Sequence, residues 1–391
     1  MRRQQTILEI INAYVGIQRL PTSAGEQTVA ESLAARYRAL ALDARVETCL
    51  ATSSYALPIG LLSAIGAVAG ALTGVNRWAA AALAFLTAAA IADDAAGGHR
   101  WFRRTAIPHK LAYNMVAEAG DPAARRTVVV LAHHDAAPSG VVFNQRPVRW
   151  IARRFPRFIA AAKTNPPTWW PVILAPLVVT AGALAGWGWL ALAGSALCLL
   201  SVLAMVDIGR RVAVPGANDN LSGVAAQLCL AQALQVRPAP GLRLIFLSAG
   251  AEEALQEGIR GFAKRHFAEF GPHTWFINLE SVGSGNLVLL EGEGPVRMRD
   301  YEASFKDLAA ACAAEVGIPL IRGLRSRNST DSEVPRRAGF PVATIVSLDA
   351  DKLIPHYHLN SDTAENVDLT SVDDSARLAE AIIRCLAAPR R

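Results

Sequence analysis

Two kinds of hydrophobic pattern share this chain, and each requires different surroundings. TVVVLAHHD at 127–135 is a continuous β-branched run, the pattern of a strand buried on both faces. Shorter strand patterns are ARVETCLAT, YNMVAEA, GLRLIFLSAG, HTWFINLES, NLVLLEGE and PVATIVSLD. Helical periodicity predicts two amphipathic helices within residues 4–40, broken near RLPTSAGEQ, where Ser23 or Thr22 can cap the second. Further helices are predicted from about 217, from 253, and at 299–316 and 371–388. After residue 212 strand and helix alternate to the end. That alternation predicts an α/β fold with a mixed, mainly parallel central sheet flanked by helices.

The second pattern is uninterrupted apolar sequence. ALPIGLLSAIGAVAGALTGV (56–75) is long enough to cross a hydrocarbon core of ~30 Å at ~1.5 Å per residue. After a short NR break, WAAAALAFLTAAAIA (78–92) is Ala-rich and marginal in length. Residues 169–206 carry no charge, and as one helix would reach ~57 Å, so they must fold back near GWGW. Trp169 and Trp170 then suit one membrane interface, and Trp187 and Trp189 the other. Just before this stretch, RPVRWIARRFPRFIAAAKT interleaves Arg with Trp150, Ile151, Phe155 and Phe158, the pattern of a basic helix lying on a membrane surface.

The chain therefore divides into soluble segments at 1–55, 93–145 and 207–391, transmembrane hairpins at 56–92 and 169–206, and a basic interfacial segment at 146–168. Each hairpin goes out and returns, leaving the soluble parts on one side. Arg100, Arg103, Arg104, Arg146, Arg149, Arg153, Arg154, Arg157, Lys163, Arg210 and Arg211 flank the hairpins on that side, against Arg77 at the tips. The bias predicts an integral protein of the inner (plasma) membrane with its soluble domain facing the cytoplasm.

Composition agrees. With 52% hydrophobic and 18% charged residues and a mean hydropathy of +0.25, the chain is too apolar for an ordinary soluble enzyme and too polar for a pure transporter. The apolar stretches also hold no ionisable residue to mark a transport path. The net charge of +6 clusters beside those stretches, which points to a lipid bilayer and not to nucleic acid. Five scattered Cys without a CxxC argue against a disulfide framework and a cysteine zinc site, and fit a reducing compartment. The N-terminus lacks the sustained apolar core of a cleavable signal peptide.

The candidate chemistry sits at or just after strand ends. His133, His134 and Asp135 close one strand; Glu252 and Glu253 follow LIFLSAG; Glu280 ends WFINLE; His356 and His358 follow the last strand. Asp219 lies in PGANDNLSGVAA at a predicted helix start. Carboxyl ends of parallel strands form the crevice where sites are built, and imidazoles with carboxylates are what a zinc site requires. Singly, each has an ordinary explanation: a hydrogen-bonded His-x-Asp pair, glutamates on a helix dipole, a helix-capping Asp, a surface His. Those explanations do not account for all of them arising in order at strand ends.

AHHDAA, GANDNLSGVAA, SAGAEEALQEGIRGF, INLESVG and HYHLNSDTAENVD resemble the successive motifs of the M28 family of zinc peptidases, which includes two-zinc aminopeptidases. The resemblance spans residues 1–50, about 108–140 and 212–388. The hairpins lie outside the basic family pattern, although some members are multi-span membrane proteins. It implies His133 as a metal ligand with Asp135 behind it, Asp219 as the carboxylate bridging two zinc ions, Glu252 as general base, and Glu253, Glu280 and His358 as further ligands. Glu280 replaces the Asp of the aminopeptidases, and Ser332 replaces the usual His after Asp331 in the pocket segment TDSEVPRRAGFP. On this reading one zinc is held by His133, Glu280 and Asp219, and the other by Glu253, His358 and Asp219. Three carboxylates and a bridging hydroxide then balance two Zn²⁺, avoiding uncompensated buried charge. The bridging Asp belongs on a tight turn pinned by Gly216, and Asp135 orients the His133 imidazole. The function implied is a membrane-anchored zinc exopeptidase, foremost an aminopeptidase acting on peptides. The alternatives are a carboxypeptidase, a single-zinc glutaminyl cyclase, or a silent membrane receptor or scaffold.

Overall fold

In the computed structural model, which describes residues 2–388, nine strands form. In chain order they are β1 (Asp43–Ala51), β2 (Lys110–Gly120), β3 (Thr127–His133), β4 (Arg243–Ala249), β5 (Thr274–Glu280), β6 (Asn286–Leu289), β7 (Gly292–Glu293), β8 (Arg299–Asp300) and β9 (Val342–Leu348). Seven make one sheet in the order β1-β2-β4-β3-β5-β9-β6, and β7 pairs with β8. The inner strands β4, β3, β5 and β9 run parallel, while β1, β2 and β6 pair antiparallel at the flanks. The sheet is thus mixed and mainly parallel at its centre, as the alternation predicts.

Strand periodicity sorts the core into two layers. Along β3, Val128, Val130 and Ala132 join Leu244, Phe246, Ile277 and Leu279 on one face. Val129 and Leu131 join Ile245, Leu247 and Phe276 on the other. Helices Arg2–Tyr14, Ala24–Ala39, Gly223–Val236, Ala303–Glu315 and Leu369–Ala387 cover the first face. Helix Glu257–His266 and the rings of Phe262, Phe267, Phe270 and Phe340 cover the second. Each large side chain buried this way contributes about 1.5–3 kcal/mol. Ser23 caps Ala24–Ala39, its Oγ accepting from the Glu26 N–H at 3.2 Å.

The apolar stretches form four helices: Ala56–Ala71, Arg77–Ala95, Trp170–Ala185 and Gly188–Gly209. They pack on one another as a bundle. Its seams are made of small residues. A Cβ on Gly70 would lie 1.8 Å from Ser195 Oγ, and one on Gly182 would lie 2.4 Å from the Ala191 nitrogen. The large side chains point outward: Leu61, Phe85, Leu86, Leu192, Leu199, Leu200 and Leu203 are exposed. Among the described residues, Ala56–Gly74, Arg77–Ala95 and Gly188–Gly209 are long and apolar enough to cross a membrane, and Trp170–Ala185 is a shorter apolar helix.

Here the structure departs from expectation. The stretch read as marginal, 78–92, extends over the 19 residues Arg77–Ala95, and the short helix lies in the second hairpin. Asn76 starts the longer helix by accepting from the Trp78 and Ala79 N–H groups. Its end tolerates two aspartates because both are engaged. Asp93 accepts from the backbone N–H groups of His99 and Arg100, and Asp94 is ion-paired with Arg103. Pro171 at the start and the left-handed Gly186 at the end bound the shorter helix. The basic segment is not one helix. Pro156 divides it into Arg146–Arg154 and Pro156–Ala161, leaving Trp150, Phe155 and Phe158 exposed beside Arg153, Arg154 and Arg157.

Two arginines counted among the flanking cations are buried instead. Arg103 forks onto Asp94 at 2.6 and 3.0 Å and donates to Thr52 Oγ1 at 2.9 Å and the Ala254 carbonyl at 2.6 Å. Arg100 Nη1 donates to Glu257 Oε1 at 2.6 Å. A buried guanidinium must be paired to be tolerated. Here the pairing ties the end of a bundle helix to the segment that follows β4.

Candidate metal centre

Because β4, β3, β5 and β9 are parallel, their carboxyl ends share one edge, with His133 opposite Ala249 and Glu280 opposite Val346. Beyond that edge the chain turns sharply. Ala251, Ser281 and His358 have φ of +49°, +48° and +54°, a region non-glycine residues seldom occupy and one associated with functional sites. Glu252 and Glu253 lie in the turn before helix Glu257–His266, so they do not begin a helix as expected from 253.

Asp219 is likewise not a helix cap. The regular helix begins at Gly223 and not near 217, and Asp219 and Asn220 have non-helical backbone angles. Their peptide bond is cis. Gly216, at φ +59°, is required, since a Cβ there would lie 2.5 Å from Arg19 Nη2 and 2.6 Å from the Asp219 carbonyl oxygen. The neighbouring asparagines stitch the turn to the exit of β5. Asn218 Oδ1 accepts from the Gly283 N–H at 2.7 Å. Asn220 Oδ1 accepts from the N–H groups of Ser281 and Gly223 at 3.0 and 3.1 Å. From below, Asp362 accepts from the Asn218 and Asp219 N–H groups at 2.8 and 3.0 Å.

So held, the two oxygens of Asp219 face different imidazoles. Oδ1 lies 3.4 Å from His133 Nε2, and Oδ2 lies 3.5 Å from His358 Nε2. Each imidazole has a carboxylate of its own: Glu280 Oε1 is 3.3 Å from His133 Nε2, and Glu253 Oε2 is 3.2 Å from His358 Nε2. His133–Asp219–Glu280 and Asp219–Glu253–His358 are two buried groups whose ligand atoms converge, and Glu252 adjoins His133 and Glu253. Among the described residues, both Nε2 atoms and Asp219 Oδ2 have no hydrogen-bond partner. Buried polar atoms are seldom left so.

The electrostatics point the same way. Asp135, Asp219, Glu252, Glu253, Glu280, Asp331 and Asp362 are all buried, and they outnumber the nearby cations, buried Arg19 and partly buried Arg260. Burial would lower the His358 pKa, but the Glu253 and Asp219 carboxylates push it up to about 9. His133 is likewise raised, burial being outweighed by Glu280, Asp135 and Asp219. Asp219 is held far below the usual range: burial would raise it, and the two imidazoles prevail. Glu252 is pushed well up by burial and by Glu280 and Asp331, with His133 opposing. Carboxylate excess around imidazole nitrogens stabilises positive charge between them. Two small divalent cations taking nitrogen and oxygen ligands fit that donor set.

Asp135 supports the site from behind. Its Oδ1 is 3.3 Å from His133 Nδ1, and it accepts from the Glu252 and Glu253 N–H groups at 3.1 and 3.0 Å. His134 turns away to Ser248 Oγ at 3.0 Å, and His356 to Ser361 Oγ at 2.8 Å. Ser332 accepts from Thr344 Oγ1 at 2.7 Å.

Several participants went unrecognised in the sequence. Buried Arg19 donates to the Gly216 carbonyl at 2.7 Å, and burial lowers its pKa to about 10. Glu26 accepts from the Ala251 N–H at 2.6 Å, fixing the turn before Glu252. A signal existed, since Ser23 and Glu26 have capping-box spacing, but Glu26 binds Thr22 N–H and reaches across to Ala251. Ser281 Oγ donates to Asp219 Oδ1 at 3.1 Å. Tyr357 stacks on His358 at 3.8 Å, and Phe143 meets it edge-on at 4.4 Å.

The family model for peptidase family M28 matches residues 202–383. That range holds Asp219, Glu252, Glu253, Glu280 and His358, and leaves out His133 and Asp135. A search of curated proteins gives no match. Solved structures share the fold at low identity. A Zn-dependent exopeptidase from Parabacteroides distasonis is 13% identical with a TM-score of 0.57, covering 97% of each chain. A leucine aminopeptidase precursor from Bacteroides thetaiotaomicron is 15% identical with a TM-score of 0.56, covering 97% of this chain and 96% of that one. A glutaminyl cyclase from the same organism is 15% identical with a TM-score of 0.58, covering 97% of each.

Proposed function

From the match of residues 202–383 to the model of peptidase family M28, we propose that the chain is a membrane-anchored exopeptidase that uses two zinc ions to remove residues from the N-termini of peptides. One observation carries the reading: the two oxygens of Asp219 address separate imidazoles, each backed by its own carboxylate. His133, Asp219 and Glu280 would hold one ion, and Asp219, Glu253 and His358 the other. Zinc bound there supplies Lewis acidity, acidifying water and polarising the scissile carbonyl.

The remaining work falls to the chain. Glu252 accepts the proton of the attacking water on its carboxylate and returns it to the departing amine. Its place beside His133 and Glu253 puts the carboxylate within reach of that water. Gln256 Nε2 donates to Glu252 Oε1 at 3.0 Å, fixing the carboxylate and leaving Oε2 for the proton. Asp135, beside His133 Nδ1, orients that ring and raises the basicity of Nε2. Tyr357 and Phe143 shield His358 from solvent.

Bundle length, apolar exterior and basic flanks support the anchor. Even without buried Arg100 and Arg103, the exposed Arg104, Arg146, Arg153, Arg154, Arg157 and Arg210 outnumber Arg77 at the tips, which favours a cytoplasmic domain. The test is an assay of detergent-purified protein on matched peptides with free or acetylated N-termini. The proposal expects cleavage from the free end alone, abolished by a chelator. Cyclisation of N-terminal Gln without hydrolysis would replace it with the cyclase reading, and cleavage from the carboxyl end with a carboxypeptidase.

A further inference from the structure

Where the hairpins meet the α/β domain, arginines gather that the hydrolytic reading does not use. Arg297, Arg299, Arg336 and Arg337 line a cavity of about 310 Å³ together with Glu333 and Ala96. Glu333 is already engaged: Arg336 binds it through Nε and Nη2 at 3.0 and 2.7 Å, and Arg337 through Nε at 2.7 Å. Arg297 and Arg299 are exposed, and their side chains have no ion pair or hydrogen bond to another described residue. Four guanidinium charges less one carboxylate leave an excess of three around one hollow.

Its borders place it at the end of the bundle. Ala96 terminates the helix Arg77–Ala95, and its carbonyl accepts from Arg337 Nη2. Pro295, also on the wall, accepts through its carbonyl from the indole N–H of Trp170, the first residue of the third bundle helix, at 3.0 Å. Arginine and tryptophan at the ends of apolar helices occupy the depth of lipid headgroups. Guanidinium forks match phosphate oxygens in pairs.

We propose that this cavity binds the phosphodiester of an anionic phospholipid headgroup, an inference that rests on the membrane-anchored reading. The competing occupant, an acidic peptide reaching the cavity along the segment that carries Asp331 and Glu333, becomes an outcome of the test.

Full-length protein in neutral detergent is titrated with phosphatidylglycerol or phosphatidylcholine and read by native mass spectrometry. The wild type, R297A/R299A and the control R153A/R154A are compared. Phosphatidylglycerol should be retained by the wild type and the control, and bound about tenfold or more weakly by R297A/R299A. Phosphatidylcholine should not be retained. Unchanged binding in R297A/R299A, or equal loss in both variants, would overturn the site. Displacement of phosphatidylglycerol by equimolar inorganic phosphate or an acidic dipeptide would overturn it in favour of a soluble anion. Wild-type protein that stays monomeric in detergent-free buffer would refute the membrane reading itself. Protein that needs detergent yet loses no lipid on substitution refutes the headgroup site alone.

Discussion

The α/β domain and the helical bundle bury opposite kinds of side chain. In the sheet, Phe246, Leu247, Phe276 and Ile277 lie inside. In the bundle, Gly70, Gly182 and Ser195 form the seams, and Leu192, Leu199, Leu200 and Leu203 face outward. In water the second arrangement would forgo about 1.5–3 kcal/mol for each large side chain left exposed. In hydrocarbon there is no such loss, and close contact between small residues is how helices associate there. On the membrane-anchored reading, one sequence encodes two interiors for two solvents. The regions also handle charge differently. The α/β domain concentrates carboxylates where cations can balance them, and the boundary pairs its buried charges directly, Arg103 with Asp94 and Arg100 with Glu257.

The comparison can be broken from either side. On the domain side, Glu252→Gln should lower kcat by about 10²–10⁴-fold while zinc content stays at the wild-type level; loss of metal with activity would assign Glu252 a ligand role instead. At the boundary, Asp94→Ala removes the closer carboxylate from the buried Arg103 guanidinium and leaves only Glu257, at 3.5 Å. It should cost about 3–5 kcal/mol, read as unfolding in detergent, and a shift below 1 kcal/mol would mean the joint is not a stabilising contact. On the outer face of the bundle, Leu199→Lys should cost about 2.5–3.5 kcal/mol of membrane insertion. A variant that expresses better and needs no detergent would show that the bundle is built for water. Inside the bundle, Gly70→Ala drives a methyl into Ser195 and should cost about 1–3 kcal/mol; thermal unfolding with no change would argue that the seam is loose.

The same division explains what was legible in the sequence. Apolar runs and strand ends are local patterns, so the apolar helices, the parallel centre of the sheet, the placing of His133, Glu253, Glu280 and His358 at or after strand ends, and the Gly216 turn that carries Asp219 could be read directly. Contacts between distant segments could not. Arg103 looked like a flanking cation until its carbonyl partner, 151 residues away, came into view. Glu26 looked like half of a capping box until it met Ala251, 225 residues on. Arg19 carries no local pattern, because it acts on the backbone around Asp219 and not on a repeat of its own. The helix expected from 253 starts later for a related reason: Ala251, Leu255 and Gln256 have φ of +49°, +69° and +59°, outside the helical region, in a turn whose N–H groups Asp135 and Glu26 hold from distant segments.

Asp219 is the residue on which both proposed ion sites depend, and metal analysis of the purified full-length protein probes that dependence. If Asp219 bridges two ions, the wild type carries two equivalents of zinc per chain and Asp219→Ala binds both more weakly. One equivalent or none, or an Asp219→Ala protein that keeps its metal, would contradict it.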